Sequence, residues 1–214
     1  MRPKRTAQQM VKSTRKNPYK GADHYTRKAK NQGYPARSVF KLEEIDKRLR
    51  LLEPAMRVLD LGAAPGSWTL YVAQKVGAKG RVLAVDRNLI EVPLPSHVVF
   101  LHGDALALDS DALATFAPYH VVLSDMAPNT TGNRLGDQTR SHELFTRALA
   151  VAEKLVLPGG AFVGKIFMGE DFQNAKAALK KVFRDSRTMK PEAARASSYE
   201  IFLVGLDRKT DELF

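Results

Sequence analysis

The chain has 214 residues, enough for one domain with its own core, and carries 34 Lys and Arg against 23 Asp and Glu, a net charge of +11. It has no cysteine, which excludes disulfides, cysteine-ligated zinc or iron–sulfur centres and any thiol nucleophile. No apolar run reaches the length of a membrane span and the N-terminus lacks a signal-peptide core, so a soluble cytoplasmic protein is expected.

The charge is uneven. Residues 1–50 hold 15 Lys and Arg against 4 Asp and Glu, while residues 51–214 hold 19 of each. A basic block on a neutral body points to a polyanionic partner, and nucleic acid is the expected one.

In chain order, residues 1–22 are basic and without a period, and are expected to be a disordered extension. Residues 23–208 are expected to form one domain, opening with a basic helical part over 23–52, and 209–214 to form a tail. In that basic part Val39, Leu42, Ile45 and Leu49 share a helical face, and Gly33-Tyr34-Pro35 breaks the segment in two. The pattern then predicts a strand over Met56–Leu61, a helix from Ser67, and strands over Arg81–Asp86 and Val98–Leu101. A helix near Asp109–Phe116 and a strand over His120–Ser124 follow. A long helix over Gln138–Leu157 is expected to stop at Pro158-Gly159-Gly160. Last come a strand over Ala161–Phe167, a helix over Asp171–Phe183 and a strand over Tyr199–Leu206. The alternation predicts an α/β fold with a mostly parallel sheet and helices on both faces. The link from Asp86 to His97 holds two prolines and is too short for a crossover helix.

The first strand runs into Gly62-Ala-Ala-Pro-Gly66, a G-x-x-x-G loop rather than the dinucleotide fingerprint G-x-G-x-x-G. Ala64 stands where the fingerprint needs a glycine to bring backbone close to a pyrophosphate, and a stiff Pro65 follows. A cofactor with a nucleoside and an amino acid but no phosphates, S-adenosylmethionine, fits better. In such sheets ligands bind beyond the carboxyl ends of the strands. Asp60 and Gly62 close the first strand, and Gly66 would allow close approach to the ligand. Asp86 ends the second strand, where an acid accepts from ribose hydroxyls, and Asp104 follows the third, placed for an adenine amino group. A lone Asp is usually a solvated turn residue, but three acids at three successive strand ends point to a ligand. Trp68 is either a pocket wall or core.

Gly62-Ala-Ala-Pro-Gly-Ser-Trp68, Ser124-Asp-Met-Ala-Pro-Asn129, Pro158-Gly-Gly160 and Phe162-Val-Gly-Lys165-Ile-Phe resemble the FtsJ/RrmJ family of RNA ribose 2′-O-methyltransferases. The likeness runs from about Tyr25 to Leu206 and includes Arg37-Ser-Val-Phe-Lys41-Leu-Glu-Glu-Ile45. It implies a Rossmann-like, S-adenosylmethionine-dependent methyltransferase fold with a seven-stranded, mostly parallel sheet. It also implies a Lys-Asp-Lys-Glu catalytic tetrad, falling by motif on Lys41, Asp125, Lys165 and Glu200, with Asp125 also at the cofactor.

The chemistry suits those residue types, since a ribose hydroxyl must lose a proton while attacking the sulfonium methyl in line. Lys165 could serve as base only if its pKa fell from about 10.4 toward neutrality, which burial and a second cation, Lys41, would favour; too close an ion pair would oppose it. A lysine between Gly164 and Ile166 in an apolar strand is hard to bury without a function. Lys41 sits among many Lys and Arg, where a solvated face is the default, so the resemblance alone singles it out.

The chain departs from the family at Tyr199, which replaces a commonly basic residue before Glu200, and at Ser67, which replaces a frequent glycine. No aromatic follows Asp125-Met-Ala-Pro128, unlike amino-group DNA methyltransferases that stack a flipped base, so ribose is the better target. The five histidines lack ligand spacing and no carboxylate cluster suggests Mg²⁺, so no metal is expected.

Phosphate contacts are expected from Lys4, Arg5, Lys12, Arg15, Lys16, Lys20, Arg27, Lys28, Lys30 and Arg37, with Tyr25 and Tyr34 for stacking. The resemblance implies a large-subunit ribosomal RNA uridine in the A-loop as acceptor, methylated during ribosome maturation. A tRNA ribose, and a non-catalytic RNA-binding assembly factor, stay open as alternatives. A monomer is the default.

Overall fold

The middle layer is a seven-stranded sheet in the order β3-β2-β1-β4-β5-β7-β6. Its strands are β1 (Arg57–Leu61), β2 (Arg81–Asp86), β3 (Val98–His102), β4 (Tyr119–Ser124), β5 (Val156–Phe167), β6 (Phe183–Met189) and β7 (Glu200–Arg208). The structure, a computed structural model, describes residues 19–108, 110–194 and 198–210. Strands β1 to β5 pair in parallel, and β7 runs antiparallel between β5 and β6. The expected class, a mostly parallel sheet covered on both faces, is the one observed.

Helices α1 (Tyr19–Asn31), α2 (Val39–Leu49) and α3 (Ser67–Val76) are joined to one face by a core of Leu42, Ile45, Val72, Val121, Val163 and Phe202. On the other face α4 (Ser110–Leu113), α5 (Arg134–Leu155) and α6 (Phe172–Val182) pack through Leu113, Phe145, Leu149, Ala175 and Leu179. Along α2, Val39, Leu42 and Ile45 are buried and Leu49 is partly so, as their spacing requires. α1 begins at Tyr19, inside the stretch expected to be a disordered extension.

Three boundaries differ from the sequence reading. The helix expected over 109–116 is a single turn, α4, followed by turns from Ala114 to Asp111 and from Ala117 to Ala114. α5 starts earlier than expected because the Asn133 side chain accepts from the Gly136 nitrogen and caps it. Pro158-Gly159-Gly160 is not a helix stop. It lies within β5, where Tyr119 pairs with Val156 but Val121 pairs with Ala161, so these residues form a bulge.

β6 was not among the strands that the pattern delineates. It is an edge strand reading Phe-Arg-Asp-Ser-Arg-Thr-Met, with only its first and last residues buried. Charged edges of this kind resist pairing with other chains and leave no period-2 apolar signal.

From β1 the chain steps outward to β2 and β3, then returns to β4 on the other side of β1. The carboxyl ends of β1 and β4 therefore flank the switch point where ligands bind in open α/β sheets.

Candidate active site

β1 runs straight into the glycine loop. Gly62 has φ +80°, and a Cβ there would lie 2.8 Å from Met126 Cγ and 2.9 Å from the Met126 nitrogen, so only glycine fits between the two loops. This loop, the ends of β2 and β3 and the residues after β4 enclose a cavity of about 380 Å³, the size of a small-molecule site. Gly62, Asp86, Asp104 and Asp125 all line it, together with Met126 and Asn129.

Asp86 accepts from the Ala64 nitrogen at 2.9 Å and from the Asn88 nitrogen at 2.7 Å, which fixes its carboxylate at the mouth of the loop. Asp104 accepts from the Leu106 nitrogen at 2.9 Å. A carboxylate offers about four acceptor sites, so both keep capacity for ligand hydroxyl and amino groups. Asp125 adds a carboxylate for a cationic group. The acceptor set matches a nucleoside carrying an amino acid and a positive centre, which is the character of S-adenosylmethionine.

Three residues expected at the cofactor lie outside this lining. Asp60 is fully buried beneath the loop, where Thr69 Oγ1 donates to its Oδ2 at 2.7 Å and ties α3 to β1. Burial, above all, pushes its carboxyl up to about 7; the neighbouring Asp125 and Asp86 add to this and the Thr69 bond opposes it. Gly66, at φ +105°, makes its close approach to the link after β2: a Cβ would meet Ile90 Cγ2 at 2.9 Å. Trp68 is core. Its ring packs 5.7 Å from that of Phe202, and its Nε1 donates to the Ser38 carbonyl at 2.9 Å.

Asp125, Lys165, Lys41 and Glu200 form two ion pairs. Lys165 Nζ lies 2.8 Å from Asp125 Oδ1 and also donates to the Asp125 carbonyl, with the lysine side chain only 6% exposed. Lys41 Nζ lies 2.5 Å from Glu200 Oε1, both largely buried. Strand register explains how the pairs come together. Lys165 is opposite Phe202 and Phe167 is opposite Glu200, so Glu200 stands diagonally across the β5–β7 ladder from Lys165 on the same face. That face is the one α2 covers, which brings Lys41 over it. Asp125 belongs both to the cavity lining and to the Lys165 pair, so the two features share one carboxylate.

The anchoring of Lys41's helix escaped the sequence reading. Asp46, buried on α2, accepts from Tyr71 Oη at 2.7 Å and from the Leu52 nitrogen at 3.0 Å, and pairs with Lys75 Nζ at 3.2 Å. Burial, with Asp46 beside it, pushes the Tyr71 hydroxyl upward. Ser67 Oγ accepts from the Ala36 nitrogen at 2.8 Å and donates to the Ala36 carbonyl at 3.1 Å, a clamp that a glycine would lack. The available signal was an acid beside Ile45 on an apolar face, and Ser67 itself as a departure from the family.

On the basic segment, Arg27, Lys28 and Lys30 are exposed on α1. Lys12, Arg15 and Lys16, with Lys4 and Arg5, lie outside the described residues, and Lys20 is placed only as part of α1. Arg37 is turned inward: its Nη2 donates to the Ala193 carbonyl at 2.5 Å, and its guanidinium faces the Tyr25 ring at 5.7 Å. The two tyrosines expected to stack on bases are engaged too. Tyr25 packs 5.6 Å from Phe40, and Tyr34 Oη donates to Gln74 Oε1 at 2.8 Å. Among the described residues there is no group of three or more His, Asp or Glu placed to hold a metal ion, and no helix long and apolar enough to cross a membrane.

The model of the FtsJ-like methyltransferase family matches residues 34–208. The chain is 62% identical over 194 residues to a ribosomal RNA large subunit methyltransferase E from Sorangium cellulosum, covering 91% of this chain and 92% of that protein. A protein of the same description from Nitratidesulfovibrio vulgaris is 50% identical over 192 residues, covering 88% and 96%. Among solved structures, a chain described as a ribosomal RNA methyltransferase from Plasmodium falciparum aligns with a TM-score of 0.72 at 26% identity, over 83% of this chain and all of that one. Fold, motifs and relatives thus agree over most of the length, and the chain belongs to the FtsJ-like methyltransferase family.

Proposed function

We propose that this chain transfers the methyl group of S-adenosylmethionine to the 2′-oxygen of a ribose in RNA. The acceptor is a uridine in the A-loop of large-subunit ribosomal RNA, and the enzyme acts as a cytoplasmic monomer during ribosome maturation. The observation that carries the reading is the shared carboxylate: Asp125 lines the cavity and also holds Lys165. The relatives' descriptions as large-subunit ribosomal RNA methyltransferases support the choice of acceptor.

The cofactor supplies a methyl group on a positively charged sulfur. Asp86 and Asp104 would hold it by accepting hydrogen bonds from its ribose and adenine, and Asp125 would face its cationic end. When bound, the cofactor would supply that methyl carbon to the hydroxyl oxygen, its sulfur keeping the electron pair of the broken carbon–sulfur bond. The hydroxyl proton passes to Lys165 and on to solvent. To take this proton Lys165 must first give up its own extra one, against the hold of the 2.8 Å pair with Asp125, and Asp125 aims it. Lys41 and Glu200 hold the ribose beside it. Positioning and charge carry most of such a displacement.

Transfer of labelled methyl to large ribosomal subunits, to naked ribosomal RNA and to tRNA tests the acceptor. Label on the subunit, resistant to alkali as a 2′-O-methyl linkage, is expected. Label on tRNA alone would move the acceptor, and label on none would overturn the reading.

A further inference from the structure

Among the described residues, five large apolar side chains are exposed, and three of them, Leu135, Met168 and Tyr199, lie at one corner, with exposures of 58%, 44% and 46%. Met168 directly follows the last residue of β5, Tyr199 directly precedes Glu200, and Leu135 is in the first turn of α5. The corner is built, not frayed. The Met168 nitrogen donates to the Tyr199 carbonyl at 2.8 Å, and Gln138 Nε2, one turn beyond Leu135, donates to the Met168 carbonyl at 2.6 Å. The Arg134 guanidinium lies 4.4 Å from the centre of the Tyr199 ring, within cation–π range.

Nothing in the two-ion-pair site explains this corner. Glu200 points to the face covered by α2, whereas Arg134 and Leu135 open the helix that covers the opposite face. The corner is therefore the far bank of the site: α1 and α2, with their exposed cations, stand on one side of the carboxyl end of β5 and the amino end of β7, and Tyr199 stands on the other. An exposed aromatic ring with a guanidinium over one face is the arrangement on which single-stranded nucleic acid stacks a base, with the cation near the phosphates. The match is chemical as well as geometric, because a flat apolar surface suits a base and a fixed positive charge suits its backbone. Exposed apolar groups gathered at one place mark interaction sites more often than single ones do.

We propose that Tyr199, with Arg134, Met168 and Leu135, forms a stacking platform for a nucleobase next to the methylated ribose. This rests on the RNA reading above. The platform positions the acceptor strand and touches neither cofactor nor reacting atoms. Tyr199 and Arg134 are positioning residues for RNA.

The test is steady-state methyl transfer to large ribosomal subunits lacking this methyl group, comparing the unaltered enzyme, Tyr199→Phe and Tyr199→Ala, with S-adenosylmethionine affinity measured alongside. The ring is expected to matter and its hydroxyl not. Tyr199→Ala should raise KM for the subunits about tenfold while kcat and cofactor affinity stay within about twofold, and Tyr199→Phe should restore KM to within about twofold. An unchanged KM in Tyr199→Ala would overturn the platform, as would a Tyr199→Phe enzyme impaired as much as Tyr199→Ala. A parallel loss of cofactor affinity would also overturn it, by showing a disturbed site. Failure of the unaltered enzyme to methylate any RNA would instead overturn the RNA reading, and the platform with it.

Discussion

Asp125 holds Lys165 through two atoms: its Oδ1 lies 2.8 Å from Lys165 Nζ, and its main-chain carbonyl accepts a hydrogen bond from the same amine. A residue of the loop after β4, which lines the cavity, and a residue of β5 are thus tied together.

Asp125→Asn is expected to impair both functions of that carboxylate. Removing one member of a largely buried pair leaves the other charge uncompensated, at a cost on the order of 3 kcal/mol. Calorimetry with S-adenosylmethionine should show weaker binding, and turnover at saturating cofactor should fall as well. Normal cofactor affinity in this variant would separate Asp125 from the cavity.

Asp86→Ala and Asp104→Ala are expected to act differently. Each removes hydrogen bonds from the cavity wall but nothing from the ion pairs, so the dissociation constant for S-adenosylmethionine should rise by roughly tenfold, the worth of one charged hydrogen bond. Turnover at saturating cofactor should change little. A large loss of kcat with unchanged affinity would contradict the assignment.

Asp60 makes stability depend on pH. Its folded-state carboxyl, at about 7, keeps a proton that the unfolded chain, with an ordinary value of 3.8, has already lost. This group therefore favours the folded state fully below about pH 4, and that contribution is lost as pH rises toward 7. Asp60→Asn stays neutral and can still accept from Thr69. Urea denaturation should find the variant gaining on the native chain between pH 5 and pH 8. A stability difference that is flat over this range would mean that Asp60 is ionised throughout.

Deletion of residues 1–18 removes six Lys and Arg and no acid. If they reach phosphates, RNA affinity should weaken and its dependence on salt should become shallower, by close to one unit of slope per lost contact. Filter binding across a salt series reads both. Identical slopes with and without the segment would exclude it from the RNA path.

Much of this architecture was legible because periodicity and turn chemistry coincide in the centre of the sheet. β1, β2 and β4 are apolar runs bounded by Gly, Pro and Asp; Asp86 and Asp125, at the ends of β2 and β4, line the cavity, whereas Asp60, at the end of β1, is buried beneath it. The bulge at Pro158-Gly159-Gly160 was not legible, because Pro and Gly after a long helix signal a stop as strongly as a kinked strand. Nor was β6, whose charged edge sequence hides its period. Trp68, Tyr25, Tyr34 and Arg37 were ambiguous for one reason: side chains able to stack or to bind phosphate are equally able to pack. Only their neighbours Phe202, Phe40, Gln74 and Ala193 decide, and those are brought close by the fold. That Lys41 and Glu200 belong to one site was reached through family likeness; their pairing with each other came only from the fold, and local sequence around either residue carries no trace of it.

The central claim is that Lys165, aimed by Asp125, takes the proton of the ribose hydroxyl. Lys165→Ala, assayed for alkali-resistant methyl transfer to large ribosomal subunits at saturating cofactor, tests it most directly when cofactor affinity is measured on the same protein. The expected result is a fall in turnover of about 10²–10⁴-fold, the range for a general base, with S-adenosylmethionine affinity within about twofold of the unaltered enzyme. Near-normal turnover would contradict the claim and leave Lys165 as a structural partner of Asp125.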